Sequence, residues 1–256
     1  SWPRGRAVSF SRGRRIVGDI VALARDVSLV VVERTIAIPE VQAARDRAEP
    51  KPGWYPVLLK SFALACMNRP ELRRSILTFP YTRLHEHACT VAAVTAERLG
   101  DGEPTVLFFH VREPERKPLL QIHDRFQRIK NEPVEAIPDF RRLLRIARFP
   151  TPIRRLLSRF SLNISGASRE KFGGTFAASN TLAGGANLTL PCTPLSTLFT
   201  FDEVTPTGSV TLRLGFDHRV MDGMTAARGL VETEAMLRGP ILEELVSLVR
   251  PARQSA

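Results

Sequence analysis

Hydrophobic and polar positions alternate along residues 209–216, where Val210, Leu212, Leu214 and Phe216 interleave with Ser209, Thr211, Arg213 and Gly215. A period of two residues predicts a half-buried β-strand. Downstream, Met224, Ala227, Leu230, Val231 and Met236 recur at helical spacing, and Gly239-Pro240 offers a stop. Between the two lies Asp217-His218-Arg219-Val220-Met221-Asp222-Gly223. A histidine is thus expected where a strand ends, and Asp222-Gly223 where the chain turns into a helix. A strand end exposes a side chain without letting it wander, which suits a general base as well as a structural hydrogen-bonding residue. Residues 27–38 are rich in β-branched side chains and predict a strand, followed by a helix over 41–48. Residues 56–68 predict a helix with Val57, Leu58, Phe62, Leu64 and Ala65 available to pack. Gly173-Gly174 predicts a turn opening a strand that runs to Ser179-Asn180.

At 256 residues and 43% hydrophobic, the chain can bury one large core. No run of ~18 apolar residues is present, so no transmembrane helix is expected. Three scattered cysteines, Cys66, Cys89 and Cys192, point to a reduced, cytoplasmic setting rather than a disulfide scaffold. The formal charge of +11 comes partly from a basic N-terminal arm over residues 1–20, with Arg4, Arg6, Arg12, Arg14 and Arg15. The second source is an Arg-rich helical segment near 133–165, read as two short helices broken at Pro150 and Pro152. No recognisable nucleic-acid module surrounds either cluster. The Arg-rich segment reads as a solvated helix face, a membrane-surface or lid element, or an electrostatic funnel for an anionic cofactor.

The remaining histidines carry less. His85 and His87 would share one face of a strand as a metal pair or, more simply, as a polar cross-strand face. No further ligand stands at useful spacing, so no metal is expected. His110 follows an apolar run and is expected as a satisfied core residue; His123, beside Asp124, is expected at the surface. Phosphate-binding loop, zinc pattern and nucleophile elbow are absent from the sequence.

The segment 217–223 resembles the active-site signature of the 2-oxoacid dehydrogenase acyltransferase catalytic domain, within the chloramphenicol acetyltransferase-like superfamily. The shared core of a histidine, three residues and Asp-Gly is met by His218, Asp222 and Gly223. Gly173-Gly174-Thr175-Phe176-Ala177-Ala178-Ser179-Asn180 resembles a second strand of that family. Residues 173–240 carry the likeness best, and Arg69-Pro70-Glu71-Leu72 after the 56–68 helix agrees with it. The resemblance implies an α+β fold, a mixed sheet flanked by helices, in a single catalytic domain over residues 21–256. It also implies a homotrimer with active sites between subunits. Lipoyl and peripheral-subunit-binding domains are missing, so a free-standing domain or an excised catalytic fragment is expected, without a covalent lipoyl group.

The chemistry the resemblance implies is acyl transfer between coenzyme A and a thiol, amine or hydroxyl acceptor. Such transfer needs a base for the acceptor proton and donors for the tetrahedral oxyanion. By resemblance, His218 is the base and Ser179 the oxyanion donor, supplied by neighbouring protomers. Asp222 would brace the histidine loop through Arg14 or Arg15, and Gly223 would permit a tight turn and close helix approach. Coenzyme A enters as a substrate, and a basic surface helps recruit it. Dihydrolipoamide is a doubtful acceptor, because the chain departs from the family over 103–110, over 133–165 and between Ser179 and His218. The polar end 249–256 lacks an apolar anchor for joining trimers into a cage. The competing expectation is a non-catalytic trimeric scaffold that docks partners through its basic surface.

Overall fold

The computed structural model describes residues 2, 4–100, 102–180 and 190–249. Along the chain, α1 (Arg12–Ala24) leads into β1 (Leu29–Ala37), α2 (Pro39–Arg47) and α3 (Trp54–Asn68). A hairpin of β2 (Arg74–Leu77) and β3 (Arg83–Glu86) follows, then the long pair β4 (Val91–Gly100) and β5 (Glu103–Arg112). Four helices come next: α4 (Leu119–Asn131), α5 (Pro138–Ile146), α6 (Thr151–Asn163) and α7 (Gly166–Phe172). Then come β6 (Phe176–Asn180), β7 (Thr197–Phe201), β8 (Ser209–Asp217), α8 (Gly223–Met236) and α9 (Leu242–Ser247).

Six strands form one mixed sheet in the order β1-β8-β7-β6-β4-β5, and β2 and β3 pair separately. β6 runs parallel to both β7 and β4, whereas β8 runs antiparallel to β7 and to β1. These directions send the C-terminal ends of β6 and β8 to opposite ends of the sheet's strands. The alternation at 209–213 persists in the burial of β8, but its last four residues, through Asp217, are buried. β7 is buried throughout, as befits a central strand covered on both faces.

The helix expected at 56–68 starts two residues early and is the hub of the core. Val57, Leu58, Leu59, Phe62, Ala63, Ala65 and Cys66 are all inaccessible to solvent. Phe62 stacks on Phe199 of β7 at 4.4 Å and meets Phe176 of β6 edge-on at 5.0 Å. Full burial of such a side chain contributes about 1.5–3 kcal/mol, and the ring pairs add about 0.5–1.5 kcal/mol each. This contact fixes β6, the strand bearing Ser179, against the main helix.

Three expectations change. Gly239-Pro240 does not end the helical path: Gly239 leaves helical angles (φ −101°, ψ −106°) and α9 resumes afterwards. A missing N–H and a ring clash bend a helix there, and tertiary packing carries it on. Residue 20 is no arm boundary, since it lies inside α1, whose Ile16 enters the core. In the Arg-rich segment the two helices exist, and Arg155 and Arg159 of α6 are exposed as a solvated face requires, but one arginine departs from it. Arg154 is buried on Asp19, with Nε–Oδ2 at 2.6 Å, while Ile153, Leu156, Leu157 and Phe160 are exposed. A buried guanidinium needs a charged partner, and α1 supplies it from 135 residues away. Among the described residues no helix is long and apolar enough to cross a membrane, and Cys66, Cys89 and Cys192 are all free.

Candidate active site

His218 stands at the end of β8, exposed, on a turn braced from beneath. Asp217, 2% exposed, donates its backbone N–H to the Ser196 carbonyl at 2.9 Å. Its own carbonyl accepts the N–H groups of Val220 and Met221 at 2.8 and 3.2 Å, which closes the turn. The Asp217 carboxylate accepts the Arg219 backbone N–H at 3.0 Å and grips the guanidinium through both oxygens, at 2.9 and 2.7 Å. Arg219 also donates to the Asp26 carbonyl at 2.7 Å, tying the turn to the segment before β1. The His218 ring lies 5.8 Å from that of Phe216. Such a turn holds an imidazole towards solvent with little backbone freedom.

Asp222 is the N-cap of α8 and accepts the Thr225 N–H at 2.7 Å. That bond, strengthened by the Thr225 hydroxyl and the positive charge of Arg228, holds its carboxyl below the usual carboxylate range. The expected brace from Arg14 or Arg15 is not formed within the chain. Arg14 lies 3.8 Å from Glu103, on the first helix, and Asp222 serves its own helix instead. Gly223 also departs from expectation: a Cβ there would meet only Phe216 Cζ, at 3.9 Å, and its φ is not left-handed. The close approach on this helix is at Gly229, where a Cβ would sit 2.9 Å from Leu72.

Ser179 lies on β6, 4% exposed, with its Oγ 3.1 Å from Thr95 Oγ1 on β4. Phe176 and Ala178 of β6 join the core, so by strand alternation Ser179 faces the other side of the sheet. Register continues the polar row: Ser179 is level with Thr200 of β7, and Thr200 with Arg213 of β8. Arg213 in turn forks onto Asp202 at 2.5 and 2.9 Å and bonds Glu33 of β1 at 3.0 Å. This row is invisible to sequence patterning, because each member comes from a different strand. The preceding turn does need its glycine: Gly174 has φ +92°, and a Cβ would lie 2.8 Å from the Val91 carbonyl.

His218 and Ser179 are not neighbours within one chain. His218 lies five positions beyond Arg213 along β8 and two strands across from β6. At about 3.3 Å per residue and about 4.8 Å per strand, the separation is roughly 15–20 Å. Residues 181–189, between Ser179 and His218, lie outside the described residues, as do 250–256 of the polar end.

A cavity of about 330 Å³ opens beside the His218 turn, lined by Asp217, Arg219, Arg169, Ser196, Phe79 and Phe160 among others. Burial pushes the Arg169 guanidinium down to about 10, partly offset by Asp217, so it stays charged at neutral pH. It donates to the Leu162 and Pro194 carbonyls at 2.9 and 3.1 Å, while its buried Nε has no partner. Sequence reading gave this arginine no role, because a lone arginine in a short helix looks like solvent-facing charge. His123 also differs from expectation: its Nδ1 accepts the Gly53 N–H at 3.1 Å at the start of α3. His110 is only half satisfied, since its Nε2 is buried without a partner.

No protein-family model and no curated protein sequence matches the chain. Solved structures do resemble it. A probable dihydrolipoamide acetyltransferase from Listeria monocytogenes matches with a TM-score of 0.65 over 98% of each chain, at 14% identity. Dihydrolipoamide acetyltransferase of Azotobacter vinelandii gives 0.66 over 94% of this chain and 95% of that one, at 18% identity. In that enzyme a serine, a histidine and an asparagine have been investigated for their role in the catalytic mechanism. A truncated catalytic core of the 2-oxoacid dehydrogenase multienzyme complex from Thermoplasma acidophilum gives 0.64 over 92% and 99%, at 15% identity. At such identities the likeness is one of fold, and that fold is the one the sequence motifs implied: the acyltransferase fold of 2-oxoacid dehydrogenase catalytic cores.

Proposed function

We propose that the chain is an acyltransferase moving an acyl group between coenzyme A and a thiol, amine or hydroxyl acceptor, with His218 as general base. The observation that carries this reading is the His218 turn: an exposed imidazole on a backbone locked by Asp217 and Arg219, in an acyltransferase fold. In the proposed step, His218 takes the acceptor proton as the acceptor attacks the thioester carbonyl. The carbonyl oxygen becomes an oxyanion, the C–S bond breaks, and the imidazolium returns the proton to the departing CoA thiolate. Ser179 Oγ–H donates to the oxyanion. Thr95 Oγ1 and Ser179 Oγ lie 3.1 Å apart and either hydroxyl can donate; in this reading Thr95 donates, which leaves the Ser179 proton for the oxyanion.

In this reading the two residues come from neighbouring copies in a homotrimer, which accords with their separation within one chain. Asp222 acts as the cap of α8 and not as an acid. The cationic side chains Arg169 and Arg219 beside the turn suit an anionic substrate such as coenzyme A. The test is CoA release from acetyl-CoA and longer acyl-CoAs, offered dihydrolipoamide and a small panel of thiols, amines and alcohols. Loss of the base in His218→Ala is expected to lower kcat about 10²–10⁴-fold, and Ser179→Ala about 10²–10³-fold. Equal turnover by His218→Ala with its assembly intact would end the general-base assignment.

A further inference from the structure

We infer that His85, His87 and Glu170 form a binding site for one divalent transition-metal ion of the zinc class, stapling the β2–β3 hairpin to α7. The three offer ligand atoms that all lie within 4.8 Å of one another. His85 lies on β3 and His87 one position past its end, with their rings 4.8 Å apart; the third arrives from α7, 83 residues on from His87. Two imidazoles and a carboxylate are a zinc donor set, leaving a fourth position for water.

Three features make this more than a chance gathering. First, the His87 Nδ1 lies 2.8 Å from Glu170 Oε1, while its Nε2 lies 3.1 Å from Ser75 Oγ. A hydroxyl on the far nitrogen is the outer contact that orients a metal-bound imidazole. Second, the His85 ring packs on α7 where only a glycine fits: a Cβ at Gly166 would lie 1.8 Å from His85 Nε2. Third, among the described residues no guanidinium or ammonium pairs with Glu170, whose ion-pair partner is His87. In a chain where arginines take up Asp19, Glu33, Asp139, Asp202, Asp217 and Glu234, this carboxylate is left to the imidazoles. Zinc ligands at about 2.0–2.1 Å from the ion stand about 3.4 Å apart, so shifts of about 1 Å close the shell.

The site is separate from the acyl-transfer reading and is tested without activity. Tag-free protein is stripped with a chelator and dialysed to equilibrium against zinc chloride, with bound metal counted by mass spectrometry. One ion per chain is expected, with a raised thermal midpoint and visible absorption when cobalt(II) replaces zinc. His85→Ala and Glu170→Gln should each weaken zinc binding at least about tenfold, and Ser75→Ala about tenfold. Glu170→Gln keeps an oxygen for a His87 N–H, so its metal-free form stays folded by circular dichroism. Failure of the folded parent protein to take up zinc in excess overturns the assignment. So does wild-type affinity in either ligand variant, which would place the ion elsewhere.

Discussion

Replacing Asp217 tests whether the carboxylate beneath His218 sets the geometry of the turn. Asp217→Ala removes three hydrogen bonds at once: to the Arg219 backbone N–H at 3.0 Å, and to its guanidinium at 2.9 and 2.7 Å. The Arg219 side chain is 56% exposed, so water takes over its charge and the ion pair itself is worth only about 0–1 kcal/mol. The backbone N–H is less easily satisfied, at about 1–3 kcal/mol for an orphaned donor. The sum is about 1–4 kcal/mol for Asp217→Ala, or roughly 2–16 °C in Tm for a chain of this length. Asp217→Asn keeps one oxygen for the backbone N–H but turns an amide towards the guanidinium, and should cost about 1 kcal/mol. A turn displaced by about 1 Å lowers the rate about 10²-fold, so Asp217→Ala should lose kcat with KM little changed. Thermal melts and CoA-release kinetics on both variants provide the check. Parental Tm and kcat in Asp217→Ala, or a larger loss in Asp217→Asn than in Asp217→Ala, would refute the reasoning.

Asp222→Asn should keep both the α8 cap and the turnover rate, since asparagine caps as well as aspartate, whereas Asp222→Ala should lower both; a rate lost in Asp222→Asn would make the carboxylate more than a cap. Gly13→Ala gains about 1 kcal/mol of helix propensity, but its Cβ would lie 1.9 Å from Thr105 Oγ1, so overpacking of about 1–3 kcal/mol should win. Urea midpoints should fall, and Thr105→Ala in the same chain should restore part of the loss. Burial holds His110 below the ordinary imidazole value; Asp139 and the Gly173 backbone oppose this, and Arg112 and Arg142 reinforce it. Because the folded value is depressed, the unfolded chain binds its proton first. Stability is then full above about pH 6.5 and declines as pH falls through the folded value, by at most about 1.4 kcal/mol per pH unit. His110→Phe should flatten that acid limb, and an unchanged slope would rule His110 out as its source.

What the sequence made legible is local. The strand, turn and helix around His218 follow from a two-residue period giving way to a helical one, and Gly173-Gly174 marked a turn that a left-handed Gly174 does require. What it hid is set by strand order and helix docking. Thr95 meets Ser179 because β4 and β6 pair in parallel across 84 residues, and no window of sequence contains both. The burial of Arg154 has the same origin: it turns inward onto Asp19 of α1, 135 residues away. Gly223 shows the opposite failure, in which a family pattern suggested a steric need that the local geometry does not impose.

Strand direction makes the most consequential claim about the site. Since β6 and β8 run to opposite ends of the strands of one sheet, no side-chain motion within a chain spans the roughly 15–20 Å between Ser179 and His218. If the pair works together, the strand end that carries His218 must face the Ser179 region of a second copy. That contact joins two different surfaces and closes as a ring, as the proposed trimer does. Mixing then has a calculable result. Let His218→Ala and Ser179→Ala chains, each inactive alone, exchange subunits in equal amounts after mild denaturation. Each junction draws its serine from one chain and its histidine from the next, so both are intact in about a quarter of junctions. Recovery of about a quarter of the parental activity is expected, falling when either variant is in excess. If both residues acted from the same chain, every site would lack one of them, and no recovery would follow at any ratio.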